Sequence, residues 1–174
     1  YGLSLVLFIG ALLSKTVTCS LPPALMLVLW WKKGRLGLED WRRLAPFFAL
    51  GIGLGLLTLW MEKTSVGAWG DEWTLSLAER FVVAGRALWF YAAKLVWPMP
   101  LSFVYPRWQL NTAAWQYLYP LLAAAVIGAL WLGRQWLGRG PLAAVLFFVG
   151  TLFPALGFFA VYPMRYSYVA DHFQ

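Results

Sequence analysis

Apolar residues fall in long runs parted by short polar breaks, and these runs set the predicted elements. Residues 3–13 and 17–31 are two such runs, separated by Ser14, Lys15 and Thr16. A single helix through both would carry Pro22 and Pro23 in its interior, where proline removes a hydrogen bond and clashes with the preceding turn. The pattern therefore predicts a helix, a break near 14–20, and a second helix running out to a basic loop. Residues 45–60 form the next run, flanked by Trp41 and Trp60. A polar loop is expected over 61–77, with Glu62, Asp71 and Glu72 against Lys63. Two further runs, 115–132 and 141–161, are joined by a connection carrying Arg134 and Arg139. Gly140 followed by Pro141 closes one helical region and opens the next, because proline in a first turn lacks only an N–H that has no helical partner there.

The stretch 79–97 has a different pattern. At about 100° per residue, Glu79, Arg80, Arg86 and Lys94 fall within one arc of about 120°. The remaining circumference is apolar or aromatic. A helix with such a stripe either lies in or re-enters the interface, or spans the membrane and lines a wet cavity. Both readings stand, and the first places both basic loops on one side. The predicted fold is all-α: one polytopic integral membrane helical bundle over 1–174. Its spans lie near 3–13, 17–31, 45–60, 115–132 and 141–161, with an amphipathic or spanning helix at 79–97. The chain opens inside an apolar run without Met and closes inside a polar cluster, the pattern of a piece truncated at both ends.

Composition strengthens the membrane expectation. The 174 residues are 61% hydrophobic and 12% charged, about half the charged share of a soluble domain, with a mean hydropathy of +0.66. Trp, Phe and Tyr are abundant, as expected where rings settle at membrane interfaces. The net charge of +7 does not point to nucleic acid. Lys32, Lys33, Arg35, Arg42 and Arg43 sit in one short loop between apolar runs, the pattern of a cytoplasmic loop under the positive-inside rule. The single Cys19 excludes a disulfide framework within the chain.

Candidate chemistry is sparse. Gly51, Gly53 and Gly55 lack the preceding strand and the following Lys-Ser/Thr of a phosphate loop; Gly51 and Gly55, four apart, read as a helix-packing face. Lys15 lies at membrane depth, where a lysine costs roughly 2.5–3.5 kcal/mol on insertion scales. It either meets an anionic ligand, a lipid phosphate fitting the location, or snorkels to the interface. Arg80, Arg86 and Lys94 on one face can neutralise a phosphate or pyrophosphate, or address lipid headgroups generally. The proline-rich loop 97–108 offers Tyr105, Arg107 and Trp108 as a platform for a sugar, with interfacial anchoring as the alternative. Tyr162, Arg165, Tyr166, Tyr168, Asp171 and His172 gather at the end. Asp171 beside His172 suits acid–base chemistry or an ion pair with Arg165. One Asp and one His do not make a metal site; no cofactor is evident, and a divalent cation is left open.

Several of these strings together resemble a known family. They are Leu-Leu-Ser-Lys-Thr-Val-Thr over 12–18, the stretch 85–91 leading to Lys94, Trp97-Pro98, Leu101-Ser102, Tyr105-Pro106, and the closing 165–174. The chain resembles bacterial membrane proteins with a tetratricopeptide tail, of the GT-C class of polyprenyl-phosphate-sugar-dependent glycosyltransferases. It is similar in this to the transmembrane and tetratricopeptide O-mannosyltransferases. The resemblance implies a C-terminal membrane fragment of an enzyme in the bacterial inner membrane. Its donor would be a polyprenyl-phosphate sugar and its acceptor a hydroxyl of a protein or glycan on the external face. Its catalytic carboxylate would lie in an external loop upstream of these residues, and the tetratricopeptide helices downstream. Lys15, Arg80, Arg86, Lys94 and Arg165 would then contact the donor phosphate, and Tyr105, Arg107, Trp108, Tyr166, Asp171 and His172 the sugar or acceptor. Two other classes stand beside this one: a transporter or flippase for an anionic lipid-linked substrate, and a non-catalytic membrane anchor for a scaffold.

Overall fold

The computed structural model describes residues 1–65, 75–110, 113–158 and 166–171, and among these it is all-helical with no strand. Six α-helices follow in order: α1 (Gly2–Ser14), α2 (Leu21–Lys33), α3 (Leu38–Ser65), α4 (Leu77–Val96), α5 (Leu118–Leu137) and α6 (Gly140–Leu152). Short 3₁₀ turns at Thr16–Ser20, Ala114–Tyr117 and Phe153–Ala155 connect or extend them. The chain divides into two compact units. One comprises Tyr1–Met61 with Gly133–Thr151, and the other Glu62–Leu132 with Leu152–Gln174.

In the first unit, α1 stops where Lys15 turns extended, at φ −150° and ψ 110°. The 3₁₀ turn then delivers Pro22 and Pro23 to the first turn of α2, where their missing N–H groups cost no helical bond. The two prolines thus start a helix and do not break one. Gly34, left-handed at φ +80°, closes α2; the left-handed well is open to glycine because it has no Cβ. The core of this unit joins Phe8 and Leu12 of α1, Met26 of α2, and Leu44 and Phe47 of α3. Gly51 belongs to the same packing: a Cβ there would stand 3.5 Å from the backbone of Cys19. Gly55 has open space instead, so the expected small-residue face is used at Gly51 alone. The Thr16 and Thr58 hydroxyls meet at 3.2 Å; Thr58 donates to the Leu54 carbonyl, which makes Thr16 the donor between them.

Among the described residues, two helical stretches are long and apolar enough to cross a membrane, Leu38–Met61 and Ala114–Leu137. At 24 residues each they reach about 36 Å, against a hydrocarbon core of about 30 Å. Ile52, Leu56 and Trp60 on α3, and Leu121, Leu122 and Trp131 on α5, all face outward. Of the other three expected spans, α1 is slightly longer than the run at 3–13, whereas α2 and α6 are shorter than the runs at 17–31 and 141–161. Helices α1, α2 and α6 have 13 residues each, about 20 Å. The run expected at 141–161 is α-helical to Leu152 and continues as a 3₁₀ turn at Phe153–Ala155; its residues 159–161 lie outside the described residues. Of the polar loop expected over 61–77, residues 61–65 belong to α3, and 66–74, with Asp71 and Glu72, lie outside the described residues.

In the second unit, α4 begins at a full capping box. The Ser76 hydroxyl accepts from the Glu79 N–H, and the Glu79 carboxylate accepts from the Ser76 N–H. This arrangement satisfies two donors that a helix start otherwise leaves bare. Val83, Ala87 and Tyr91, spaced four apart, are wholly buried on one face of α4. Gly85 is buried against Pro120 of α5, close enough that no side chain would fit.

Candidate functional site

The second unit brings three separate stretches of sequence to one place: α4, the proline-rich segment 97–110, and the segment 166–171. Asp171 is the joint. Its Oδ2 accepts from the Ser102 N–H at 2.5 Å and from the Tyr105 hydroxyl at 3.0 Å. That hydroxyl also lies 3.0 Å from the Pro100 carbonyl. It has one proton, so carboxylate and carbonyl compete for it. Ser102 turns its own hydroxyl to the Val104 carbonyl at 2.8 Å. Residues 100–105 therefore fold around the carboxylate, in a segment where Pro98, Pro100 and Pro106 disfavour a helix.

Lys94 donates to the Pro100 carbonyl, and its ammonium stands 5.3 Å from the centre of the Tyr105 ring and 5.6 Å from that of Phe90. One helical turn and more toward the N-terminus of α4, the half-buried Arg86 guanidinium lies 4.3 Å over the Trp108 ring. Arg107 lies 5.1 Å over Tyr168. Such cation–ring contacts draw on the negative face of the ring and strengthen as water is excluded. Trp108 and Tyr168 approach at 6.2 Å, and Phe90 meets Tyr105 edge-on at 4.9 Å. The result is a patch of rings with three cations seated on it.

Beneath the patch, Tyr91 ties α4 to the segment 166–171. Its hydroxyl accepts from the Ala170 N–H at 3.0 Å and donates to the Ala170 carbonyl at 3.2 Å. Burial pushes this phenol up to about 12, with the charges of Asp171 and Tyr105 adding to the shift and the bond to Ala170 opposing it. A neutral hydroxyl is what the paired bonds require, since a phenolate could not donate.

The remaining sequence candidates are placed differently. Arg80 gives its guanidinium to three main-chain carbonyls, Gly157 and Phe158 at 2.9 Å each and Leu75 at 3.2 Å. It clamps the chain with three of its five N–H donors. Lys15 belongs to the first unit, exposed at the end of α1, and is not a member of the patch. Tyr166 is exposed, while its neighbours Ser167 to Ala170 are buried. Tyr162, Arg165 and His172 lie outside the described residues, and with them any pairing of Asp171 with His172. Among the described residues, no three of His, Cys, Asp and Glu converge as a metal site would need.

Sequence reasoning missed Phe90, Tyr91 and Ser102. Phe90 and Lys94 are four apart on α4, a spacing that pairs side chains on a helix and could have flagged the first. Nothing local marks Ser102 or Tyr91, whose partners lie 69 and 79 residues away. Chemically, the arrangement suits binding: cations beside rings for an anion and a sugar, with the carboxylate engaged in holding the loop. Comparison with protein families, with curated proteins and with solved structures finds no match.

Proposed function

We propose that this chain is the membrane part of a GT-C-type glycosyltransferase of the bacterial cell membrane. It would move a sugar from a polyprenyl-phosphate donor to an acceptor hydroxyl of a protein or glycan on the external face. The observation that carries this reading is the patch itself: Arg86 on Trp108, Arg107 on Tyr168 and Lys94 beside Tyr105, braced by Asp171. Rings stack on the apolar face of a sugar, and the cations beside them, Arg86 and Lys94 partly buried and Arg107 exposed, attract a phosphate, the more so where water is partly excluded.

Helices α3 and α5 span the membrane in this reading, with α1, α2 and α6 as shorter apolar partners in a multi-pass arrangement. Helix α4, polar on one stripe and apolar elsewhere, lies at the membrane surface. The basic loops around 32–43 and 134–139 face the cytoplasm. The catalytic carboxylate is supplied from outside these residues and takes the acceptor proton. The acceptor oxygen attacks the anomeric carbon, and the polyprenyl phosphate departs with the electron pair of the broken C–O bond. Arg86, Lys94 and Arg107 stabilise the charge on that phosphate. A phosphate leaves readily, so no general acid is required.

The test uses the full-length protein in liposomes with a radiolabelled polyprenyl-phosphate sugar. Arg86→Ala and Lys94→Ala should each lower transfer by about 10²-fold, the scale of losing one preorganised charge stabiliser. Trp108→Ala should weaken donor binding. Transfer and donor binding unchanged in all three folded variants would sink the reading and favour a plain membrane anchor. Donor carried across the bilayer without transfer would make the protein a flippase.

A further inference from the structure

The first unit holds a cleft of about 790 Å³ between α1, α2 and α3, a volume typical of a small-molecule site. Its walls are apolar over most of their length, including Leu7, Leu25 and Leu29. Ala11 and Leu21 line it near the turn between α1 and α2, and Lys33, Asp40 and Arg43 line its other end, here termed the mouth. From Tyr1 to Ala11 along α1 is about 15 Å, and from Leu21 to Lys33 along α2 about 18 Å, at 1.5 Å per residue. Half of a hydrocarbon core of about 30 Å is about 15 Å. The cleft is therefore as deep as one leaflet.

Among the lining residues, charge sits at one end only. The end of α2, the turn joining it to α3 and the start of α3 carry Lys32, Lys33, Arg35, Arg42 and Arg43 against Glu39 and Asp40, an excess of cations. Lys33 is paired with Asp40 and Arg43 with Glu39. Each still has donors to spare, since an ammonium has three and a guanidinium five. The side chains of Lys33 and Arg43 are 53% and 70% exposed, so their stems line the mouth while their heads reach outward. That is how long basic side chains behave at a headgroup layer.

We propose that this cleft is a binding site for an anionic glycerophospholipid of the leaflet next to the basic loop. One acyl chain would lie along α1 and α2 toward Ala11 and Leu21, and the headgroup phosphate would sit at Lys33 and Arg43. Depth selects a single-leaflet lipid, and the cationic mouth selects its charge. The cleft is built from residues of the first unit alone, and the proposal stands or falls independently of sugar transfer.

The experiment places the full-length protein in nanodiscs of phosphatidylcholine with a trace of phosphatidylglycerol bearing a photoactivatable acyl chain. Labelled positions are mapped by peptide mass spectrometry. Labelling should concentrate on α1 and α2 between 7 and 25, and excess unlabelled phosphatidylglycerol should compete it away while phosphatidylcholine does not. Arg43→Gln should reduce the preference for phosphatidylglycerol about fivefold, the worth of one cation near a membrane surface. Leu25→Trp should block labelling at the far end while leaving thermal stability in place. Equal competition by both lipids would overturn the proposal in favour of ordinary surrounding lipid. So would an absence of label in the cleft, as when another part of the full chain covers it. Because the wild-type competition decides the matter alone, poor folding of a variant does not protect the idea.

Discussion

Gly85 lies on the buried face of α4, directly against the start of α5. A Cβ added there would stand 2.4 Å from the Pro120 nitrogen, 2.6 Å from its Cδ and 2.7 Å from its Cα. Ordinary contact begins near 3.4 Å, so a methyl group needs close to an ångström that neither main chain nor a proline ring can supply by rotating. Gly85→Ala thus sets two effects in opposition. Alanine gains about 1 kcal/mol over glycine in a helix interior. Overpacking a tight contact costs about 1–3 kcal/mol, and the rigid neighbours place this case at the top of that range. The net expectation is a loss of about 2 kcal/mol, which for a chain of this size lowers Tm by about 4–8 °C. Intrinsic tryptophan fluorescence during a thermal ramp in detergent measures it. Gly128→Ala, with nothing within 4 Å of the added carbon, is the matched control and should hold or raise Tm. A Gly85→Ala protein as stable as the parent, alongside a well-behaved control, would mean that α4 and α5 do not meet here. Since Arg86 is the next residue, a clash at Gly85 should also disturb the aromatic patch.

Other perturbations test the neighbouring contacts. Tyr91→Phe leaves the Ala170 N–H and carbonyl buried without their hydroxyl partner and should cost about 1–3 kcal/mol, read by the same thermal ramp. Because the folded state raises this phenol from 10 to about 12, it favours the neutral form. That part of the stability is complete below pH about 10 and is lost as pH climbs toward 12. The parent should therefore lose more stability over this alkaline window than Tyr91→Phe does, and parallel curves would refute the assignment. Gly157, at φ +90° with Val83 Cγ1 3.0 Å from an added Cβ, should lose at least about 1–2 kcal/mol as Ala, the left-handed penalty alone. Arg80→Gln should destabilise the protein while leaving donor affinity per folded molecule unchanged. Weakened donor affinity with intact stability would return Arg80 to the binding residues.

Helix-forming segments and their breaks were legible in the sequence because they follow from local sterics and hydrophobic runs. Pro22 and Pro23 marked a break before the second helix, and Gly140 with Pro141 marked a boundary. Helix lengths were less legible. Apolar composition alone does not reveal that Leu152 is the last α-helical residue before a 3₁₀ turn, or that α3 runs on through polar residues to Ser65. Tertiary structure decided which charges have chemistry left to offer. Arg80, Arg86 and Lys94 share one stripe on a helical wheel, yet Arg80 clamps carbonyls 77 and 78 residues away while Arg86 and Lys94 stand on rings. Likewise, Asp171 became a brace because Ser102 and Tyr105 reach it across 69 and 66 residues. A side chain's partner depends on how distant segments close on each other, and helical periodicity carries no record of that closure.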